Sequence, residues 1–202
     1  MKKIPTLFVR RFEGHKIVEC TPEVMPGLEW VLEDPGVIPT VKFDGACCAL
    51  MADNRGHLEL WKRYDAKPGR KIPEGAKACC DPDPVTGHWP HWVKCDPTNA
   101  ADKWFYAALH NYNTDCLEFG VKAHPGTYEA VGSHFNGNPY ALMNDYLIAH
   151  GDSVIKDLPI GYESIKRWLE EHEEEGIVFW YDGAPVCKIK RSDFGLPWPV
   201  RR

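Results

Sequence analysis

The chain has 202 residues, enough to bury a core that disulfides or metals need not support. Apolar residues make up 44% and charged residues 26%, as in ordinary globular proteins, and the net charge of −5 by itself argues against a nucleic-acid partner. No apolar run approaches the length of a membrane span and the N-terminus lacks a secretory signal, so we expect a cytoplasmic protein without membrane contact.

The first third of the chain is expected to consist mainly of strands. Apolar alternation and turn signals predict, in chain order, two strands within residues 6–20, a short helix at 26–33, and strands at 37–42, 46–52 and 57–63. An antiparallel hairpin is therefore predicted to begin directly after Lys42.

The rest of the chain is expected to add two helices and four strands. Residues 64–97 contain six prolines and are predicted to form a long ordered loop. Then follow a helix at 98–112, strands at 126–132 and 146–149, a helix at 160–174 that buries Ile165, Trp168 and Leu169, and a hairpin of strands at 177–181 and 186–190. The pattern predicts one α+β domain over residues 1–202, with mostly antiparallel strands and two helices packed on them.

The eight cysteines are expected to be free thiols, because nothing in the sequence indicates secretion. The alternative is a zinc site built from Cys79, Cys80, His88, His91 and Cys95. The usual pair of cysteines two to four residues apart is missing from that set.

Charge is distributed unevenly along the chain. Residues 55–77 contain seven basic and three acidic residues, and residues 188–202 contain five basic and one acidic residue. Residues 163–175 reverse this balance, with six acidic and two basic residues. The two basic stretches indicate a surface that follows a phosphate backbone, with ordinary solvated surface charge as the alternative.

Three lysines form the centre of the predicted chemistry. An amine attacks phosphorus only when it is deprotonated, and burial or nearby positive charge favours that form. Lys188 and Lys190 alternate with Cys187 and Ile189 along a predicted strand, so both lysines are expected on one face. Placed beside Lys42, they would supply positive charge and hold a triphosphate, although a solvated strand face would show the same alternation.

Three further residues complete this chemistry. Arg63 is suited to clamp a phosphate or a ribose through its planar guanidinium. Glu175 is suited to hold Mg²⁺ together with phosphate oxygens. Glu129 stands between apolar neighbours, where a carboxylate needs specific hydrogen bonds; ribose hydroxyls would supply them, and a nearby arginine is the alternative.

Five short motifs occur in a fixed order: Lys42-Phe43-Asp44-Gly45, Trp61-Lys62-Arg63, Tyr128-Glu129-Ala130-Val131-Gly132, Glu175-Gly176-Ile177-Val178-Phe179 and Cys187-Lys188-Ile189-Lys190. Together they resemble the covalent nucleotidyltransferase superfamily of ATP-dependent ligases and mRNA capping enzymes. Longer strings, at residues 44–48, 87–92, 136–140 and 195–199, are similar to the 5′-to-3′ RNA ligase family known from vertebrates, with shorter microbial and phage relatives.

This resemblance implies an antiparallel-sheet nucleotidyltransferase (adenylyltransferase) domain of the ATP-grasp-like ligase type, without an added oligonucleotide-binding (OB) domain. It implies ATP and Mg²⁺ (or Mn²⁺) as cofactors, with Glu175 as the metal ligand. The implied catalytic residues are Lys42, Glu175, Lys188 and Lys190. The implied nucleotide-binding residues are Lys42, Arg63, Glu129, Glu175 and Lys188, with Tyr146 and His150 as alternatives for the side chain that stacks on adenine.

The implied function is an ATP-dependent RNA ligase that joins 5′-phosphate and 3′-hydroxyl ends through lysyl-AMP, with a role in RNA repair. RNA ends would be the partner, and Lys62, Lys67, Arg70 and Lys71 would follow the RNA backbone. Substrate grip would fall to this domain or to a protein partner. A DNA ligase, a capping-type guanylyltransferase and a catalytically inactive RNA-binding relative are the alternatives.

Overall fold

The computed structural model describes residues 2–14 and 16–200, which form a mixed α and β structure with antiparallel sheets. The strands are β1 (Phe8–Glu13), β2 (Lys16–Val24), β3 (Ile38–Lys42), β4 (Ala46–Ala52), β5 (Leu58–Ala66), β6 (Lys77–Ala78), β7 (Trp89–Lys94), β8 (Gly126–Val131), β9 (Tyr146–Ala149), β10 (Gly176–Tyr181) and β11 (Ala184–Lys190). The helices are α1 (Lys103–Glu118) and α2 (Tyr162–Glu171), with 3-10 turns at Glu29–Leu32, Ala100–Asp102 and Arg191–Phe194.

The coarse fold class predicted from the sequence, α and β with antiparallel strands and few helices, is confirmed. The finer assignment to the ATP-grasp-like nucleotidyltransferase type stays a prediction. Within the described part of the chain, neither α-helix combines the length and the apolar character that crossing a bilayer requires.

Two predictions about local structure need correction. Residues 64–97 are not one long loop, because β5 continues to Ala66 and β6 and β7 follow. Pro90 lies within β7, where its carbonyl accepts a hydrogen bond from the Cys79 amide at 2.9 Å. The helix predicted at 26–33 is only a 3-10 turn of four residues.

The chain divides into two compact units. Unit 1 is Asp44–His150 together with Lys2, and unit 2 comprises the described residues of 3–43 and 151–200. The chain therefore passes from unit 2 into unit 1 after Phe43 and returns after His150. The prediction of one nucleotidyltransferase domain over residues 1–202 stays a prediction.

Unit 1 is a six-stranded antiparallel sheet in the order β6-β7-β5-β4-β8-β9, with α1 on one face. Trp104, Ala108 and Tyr112 recur at helical spacing and pack against Leu50 and Tyr128 of the sheet, as the sequence pattern predicts. The opposite face carries a smaller apolar cluster around Ala49, Trp61 and Trp92. Because side chains alternate along a strand, Cys47 and Glu129 also belong to this second face.

Unit 2 contains the three-stranded antiparallel sheet β11-β10-β3 and the β1-β2 hairpin. Ile165 and Leu169 of α2 are fully buried in the same core as Ile177 and Ile189. The N-terminal segment adds to the free edge of β11, where the Leu7 amide donates to the Lys188 carbonyl at 2.8 Å. Cys187 and Ile189 of β11 also belong to this core, so they define the buried face of that strand.

Candidate active site

Lys42 and Glu175 form an ion pair at the end of the unit 2 sheet. Lys42 is the last residue of β3 and lies opposite Gly176, so the register of β3 and β10 brings its amine to the carboxylate before β10. The amine donates to Oε2 of Glu175, and the Lys190 amine lies 3.3 Å from Oε1. Glu175 is only 5% exposed, so its two oxygens hold two amines in a largely dry position.

Gly176 makes this arrangement possible. A Cβ at this position would lie 2.2 Å from the Ile189 carbonyl oxygen, far inside van der Waals contact. The same residue pairs with Lys190 across β10 and β11. Absence of a side chain therefore allows the close approach that sets Glu175 beside Lys190.

Lys188 stands in a cluster of positive charge. Its pKa falls from 10.5 to about 8, because burial penalises the ammonium form and because Lys42, Lys190 and Arg10 repel it, while Glu175 acts in the opposite direction. Cys187 and Ile189 are fully buried, so Lys188 and Lys190 share the other face of β11, which confirms the predicted alternation. The half-buried Lys188 therefore loses its proton at lower pH than an ordinary lysine.

Arg10 is a member of this cluster that sequence reasoning missed. It lies on β1 and forms an ion pair with the buried Asp193, whose Oδ1 is 2.7 Å from Nη2. The other carboxylate oxygen of Asp193 accepts from the Lys190 backbone amide at 2.9 Å. Asp193 therefore connects Arg10 to the end of β11, a link that no local motif around Arg10 indicates.

In unit 1, Glu129 is held by two partners. Its Oε1 accepts from the Gly45 backbone amide at 3.1 Å, and its Oε2 lies 2.9 Å from Nε2 of His150. The second ring nitrogen of His150 lies 3.0 Å from the hydroxyl of Thr127. Among the described residues, its hydrogen-bond partners are thus an amide and a histidine, and not the arginine that the sequence left as an alternative.

Arg63 and Tyr146 lie on the same face of the unit 1 sheet as Glu129, because residues paired across strands share a face. Arg63 is on β5 opposite Trp92, and its Nε lies 3.1 Å from Asp65 Oδ1. Tyr146 begins β9 opposite Val131 and is half-buried. Of the two alternatives for adenine stacking, His150 is the one bonded to Glu129, and Tyr146 stays open as the other.

The turn after Lys42 and Phe43 is fastened from within unit 1. The side-chain amide of Asn136 donates to Asp44 Oδ1 at 2.9 Å and to the Gly45 carbonyl at 2.8 Å. The Asp44 amide in turn donates to the hydroxyl of Tyr140. A Cβ on Gly45 would lie 2.1 Å from the Ala130 carbonyl oxygen, so only glycine fits there. Two strings that carry the family resemblance, at 44–48 and 136–140, thus bind each other.

The four basic residues predicted to follow RNA fall into two groups. Lys62 points to the α1 face of the unit 1 sheet, opposite to Arg63, and forms an ion pair with the buried Asp102. Lys67, Arg70 and Lys71 are all exposed in the connection between β5 and β6. Contact with RNA stays a prediction for all four, and Lys62 already has an intramolecular partner.

The donor sets for metals can be compared directly. Glu175 offers hard carboxylate oxygens in a position that already accommodates positive charge, which fits Mg²⁺ or Mn²⁺ once substrate phosphate oxygens complete the coordination. The alternative zinc set of Cys79, Cys80, His88, His91 and Cys95 is not brought together in the part of the chain that the structure describes. Within residues 2–14 and 16–200, three ligand atoms of the kind zinc prefers converge only at Cys47, Glu129 and His150.

The eight cysteines are free thiols, as predicted. Burial raises the pKa of Cys47 to about 12, with Arg63 opposing and Glu129 reinforcing that shift. Burial also raises the pKa of Cys95 and Cys187 to about 12. None of these three thiols is poised as a nucleophile.

The sequence was compared with known proteins. A model of the family described as RNA ligase 1 matches residues 117–202, a segment that contains Glu129, Glu175, Lys188 and Lys190. RNA ligase 1 from Danio rerio is 29% identical to the chain, and the alignment covers 80% of the chain and 68% of the Danio rerio protein. RNA ligase 1 from Pongo abelii is 28% identical, over 81% of the chain and 69% of its own length, and the Mus musculus protein is 26% identical, over 81% and 68%. These matches confirm the resemblance that the sequence motifs indicate: the chain is similar to the RNA ligase 1 family.

Proposed function

We propose that the protein is an ATP-dependent RNA ligase that joins 5′-phosphate and 3′-hydroxyl ends, with Lys42 as the nucleophile that accepts AMP. The observation that carries this proposal is the group of Lys42, Glu175 and Lys190 at the ends of three adjacent strands, near Lys188, whose pKa is lowered. The RNA ligase 1 relatives supply the support for RNA as the substrate.

Three transfers make up the reaction. The deprotonated Lys42 amine attacks the α-phosphorus of ATP, a P–N bond forms, the bond to the pyrophosphate oxygen breaks, and the nitrogen releases a proton to solvent. An oxygen of the RNA 5′-phosphate then attacks the same phosphorus, the P–N bond breaks, and the amine takes up a proton. The RNA 3′-hydroxyl finally attacks the activated 5′-phosphorus, loses its proton, and releases AMP.

The residues of unit 2 have distinct tasks in these steps. Lys188 and Lys190 would neutralise phosphate oxygens, which is the main way proteins stabilise such transfers. Glu175 holds the Lys42 ammonium before reaction and would hold a divalent cation when triphosphate is bound. A bound Mg²⁺ would polarise the α-phosphate and neutralise charge on the leaving pyrophosphate.

The residues of unit 1 would recognise the nucleoside. Glu129 would accept hydrogen bonds from the ribose hydroxyls, and its contacts with Gly45 and His150 keep the carboxylate oriented. Arg63 would contact the phosphate or the ribose, and His150 or Tyr146 would stack on adenine. The exposed Lys67, Arg70 and Lys71 would follow the RNA backbone.

The direct test is incubation with α-labelled ATP and Mg²⁺. We expect AMP to be attached to the protein through a phosphoramidate bond, which acid hydrolyses and mild alkali leaves intact. Lys42→Ala should carry no label, whereas Lys156→Ala, which removes an exposed lysine of the same unit, should be labelled like the unmutated protein.

The second test is sealing of nicked or broken strands. Ligation of RNA by the unmutated protein, with release of AMP and no product from Lys42→Ala, supports the proposal. Labelling by GTP in preference to ATP would point to a capping-type enzyme, and sealing of DNA alone would point to a DNA ligase. RNA binding with no nucleotide transfer under any divalent metal would overturn the catalytic proposal.

A further inference from the structure

Cys47, Glu129 and His150 bring three different metal-binding groups to one point in unit 1. The ligand atoms of the thiol, the carboxylate and the imidazole all lie within 4.8 Å of one another. Cys47 and Glu129 are directly opposed on β4 and β8, and His150 follows the end of β9. Three adjacent strands therefore fix the relative positions of these groups.

We propose that these three residues bind Zn²⁺, with the fourth coordination position open. Zinc binds thiolate sulfur at about 2.3 Å and imidazole nitrogen or carboxylate oxygen at about 2.0–2.2 Å, in tetrahedral geometry. Ligand atoms of such a site lie about 3.3–3.7 Å from one another, as bond lengths of that size require. In this structure the three ligand atoms lie within 4.8 Å of one another, and the His150 and Glu129 atoms are 2.9 Å apart. A mixed set of thiolate, imidazole and carboxylate selects zinc over Mg²⁺.

The neighbours of the three residues suit their role as ligands. Thr127 Oγ1 lies 3.0 Å from Nδ1 of His150, so it can accept the ring proton there when zinc replaces the contact between Nε2 and Glu129 Oε2. The Gly45 amide occupies Oε1 of Glu129 and leaves Oε2 facing the site. Glu129 and His150 are half-buried, so this side of the site is within reach of solvent.

The proton balance is simple. Cys47 is a thiol at neutral pH, and its S–H bond breaks when the S–Zn bond forms, with the proton released to solvent. The imidazole keeps one proton, on Nδ1. The bound ion therefore faces a thiolate, a carboxylate and a neutral imidazole, and carries no excess charge.

Zinc at this position would control nucleotide binding, a consequence that rests on the proposed function. Glu129 and His150 are the groups expected to hold the ribose and adenine, and neither can do so while it binds a metal. Excess Zn²⁺ should then suppress AMP transfer to Lys42, and ATP should slow zinc binding. The site itself can be tested without any nucleotide.

The experiment uses the full chain without a histidine tag. Zn²⁺ affinity is measured by competition with a chromophoric chelator, and Cd²⁺ is used to detect the ultraviolet band of a metal-bound thiolate. We expect one site per chain, loss of the Cd²⁺ band in Cys47→Ser and no change in Cys80→Ser, which alters a cysteine of similar exposure. Thr127→Val should weaken zinc by about 10- to 100-fold, as loss of the hydrogen bond to a ligand histidine usually does.

A measurement on the unmutated protein tests the site even if a variant fails to fold. X-ray absorption at the zinc edge, with one equivalent of Zn²⁺, should show one sulfur neighbour and two or more nitrogen or oxygen neighbours. Two or more sulfurs, no sulfur, or a Cd²⁺ band that persists in Cys47→Ser would overturn the site. If zinc binds as expected while no AMP is ever transferred, the proposed function fails and the zinc site stands.

Discussion

Asn136 holds Asp44 in place with its side-chain amide, and the same nitrogen also binds the Gly45 carbonyl. Asn136 has a backbone φ of +43°, in the left-handed region where asparagine and glycine are favoured. The residue therefore combines a turn conformation with two hydrogen bonds to the segment that follows Lys42 and Phe43.

The first prediction concerns this contact. Asn136→Gly keeps the backbone conformation and removes both hydrogen bonds, so we expect the free energy of unfolding to fall by about 1 kcal/mol. The rate of AMP transfer should also fall, and by more than in a variant of equal stability, because the turn after Lys42 loses its hydrogen bonds to Asn136. Asn138→Gly is the matched control, since it removes two hydrogen bonds to Leu142 at a similar φ. Equal losses of AMP transfer in the two variants would contradict the prediction.

The second prediction concerns Gly45. Gly45→Ala places a methyl group 2.1 Å from the Ala130 carbonyl oxygen, so β4 and β8 must separate locally. We expect a loss of about 3 kcal/mol or more in the free energy of unfolding, as for severe overpacking. Urea denaturation measures this loss. Gly137→Ala is the control: its φ is +70° and no atom lies within 4 Å of the new Cβ, so only about 1–2 kcal/mol of backbone strain is expected.

The third prediction follows from Lys188. Its pKa is lowered to about 8 in the folded protein from 10.5, so the unfolded chain binds more protons between these two values. Stability therefore rises with pH from about 8 to about 10.5, and the cost of burying the ammonium is fully present below pH 8. The gain is at most about 3 kcal/mol, reduced by the partial exposure of the side chain.

This pH dependence can be measured as a difference between variants. The free energy of unfolding of the unmutated protein should increase relative to Lys188→Met across this pH range. Lys122→Met, which alters an exposed lysine, should show no such trend. A constant difference between the unmutated protein and Lys188→Met from pH 7.5 to 10.5 would contradict the lowered pKa.

The fourth prediction separates Lys62 from the exposed basic residues. Lys62→Met leaves the buried Asp102 without its cationic partner, so we expect a loss of about 3–5 kcal/mol in stability, measured by urea denaturation. Lys67→Ala should leave stability unchanged. If Lys67 contacts an RNA phosphate, this variant should make the slope of log affinity against log salt concentration shallower by about 0.7–0.9, the contribution of one phosphate contact. An unchanged stability of Lys62→Met would show that its ion pair contributes little.

The parts of the fold that sequence reasoning predicted depend on local pattern. Cys187 to Lys190 alternate in polarity, and that alternation alone assigns Lys188 and Lys190 to one face of β11. The spacing of Trp104, Ala108 and Tyr112 likewise predicts the buried face of α1. The proline count misled the prediction of residues 64–97, because Pro90 keeps a carbonyl that accepts a hydrogen bond from Cys79, the residue after β6.

The parts that could not be predicted depend on long-range register. Glu129 and His150 are 21 residues apart, and only the pairing of β8 with β9 brings them together. Arg10 reaches Asp193 across 183 residues of sequence. Lys62 and Arg63 must lie on opposite faces of a strand, but the sequence does not say which face α1 covers.

The return of the chain after His150 bears on how the protein folds during synthesis. β3 pairs with β10, and β10 pairs with β11, so the sheet of unit 2 cannot form until these two later strands have left the ribosome. Unit 1 is almost entirely the continuous stretch Asp44–His150, so its sheet can form earlier, before β10 is available to pair with β3. The nascent chain thus carries Lys42 without its carboxylate partner until the segment that contains Glu175 has been synthesised.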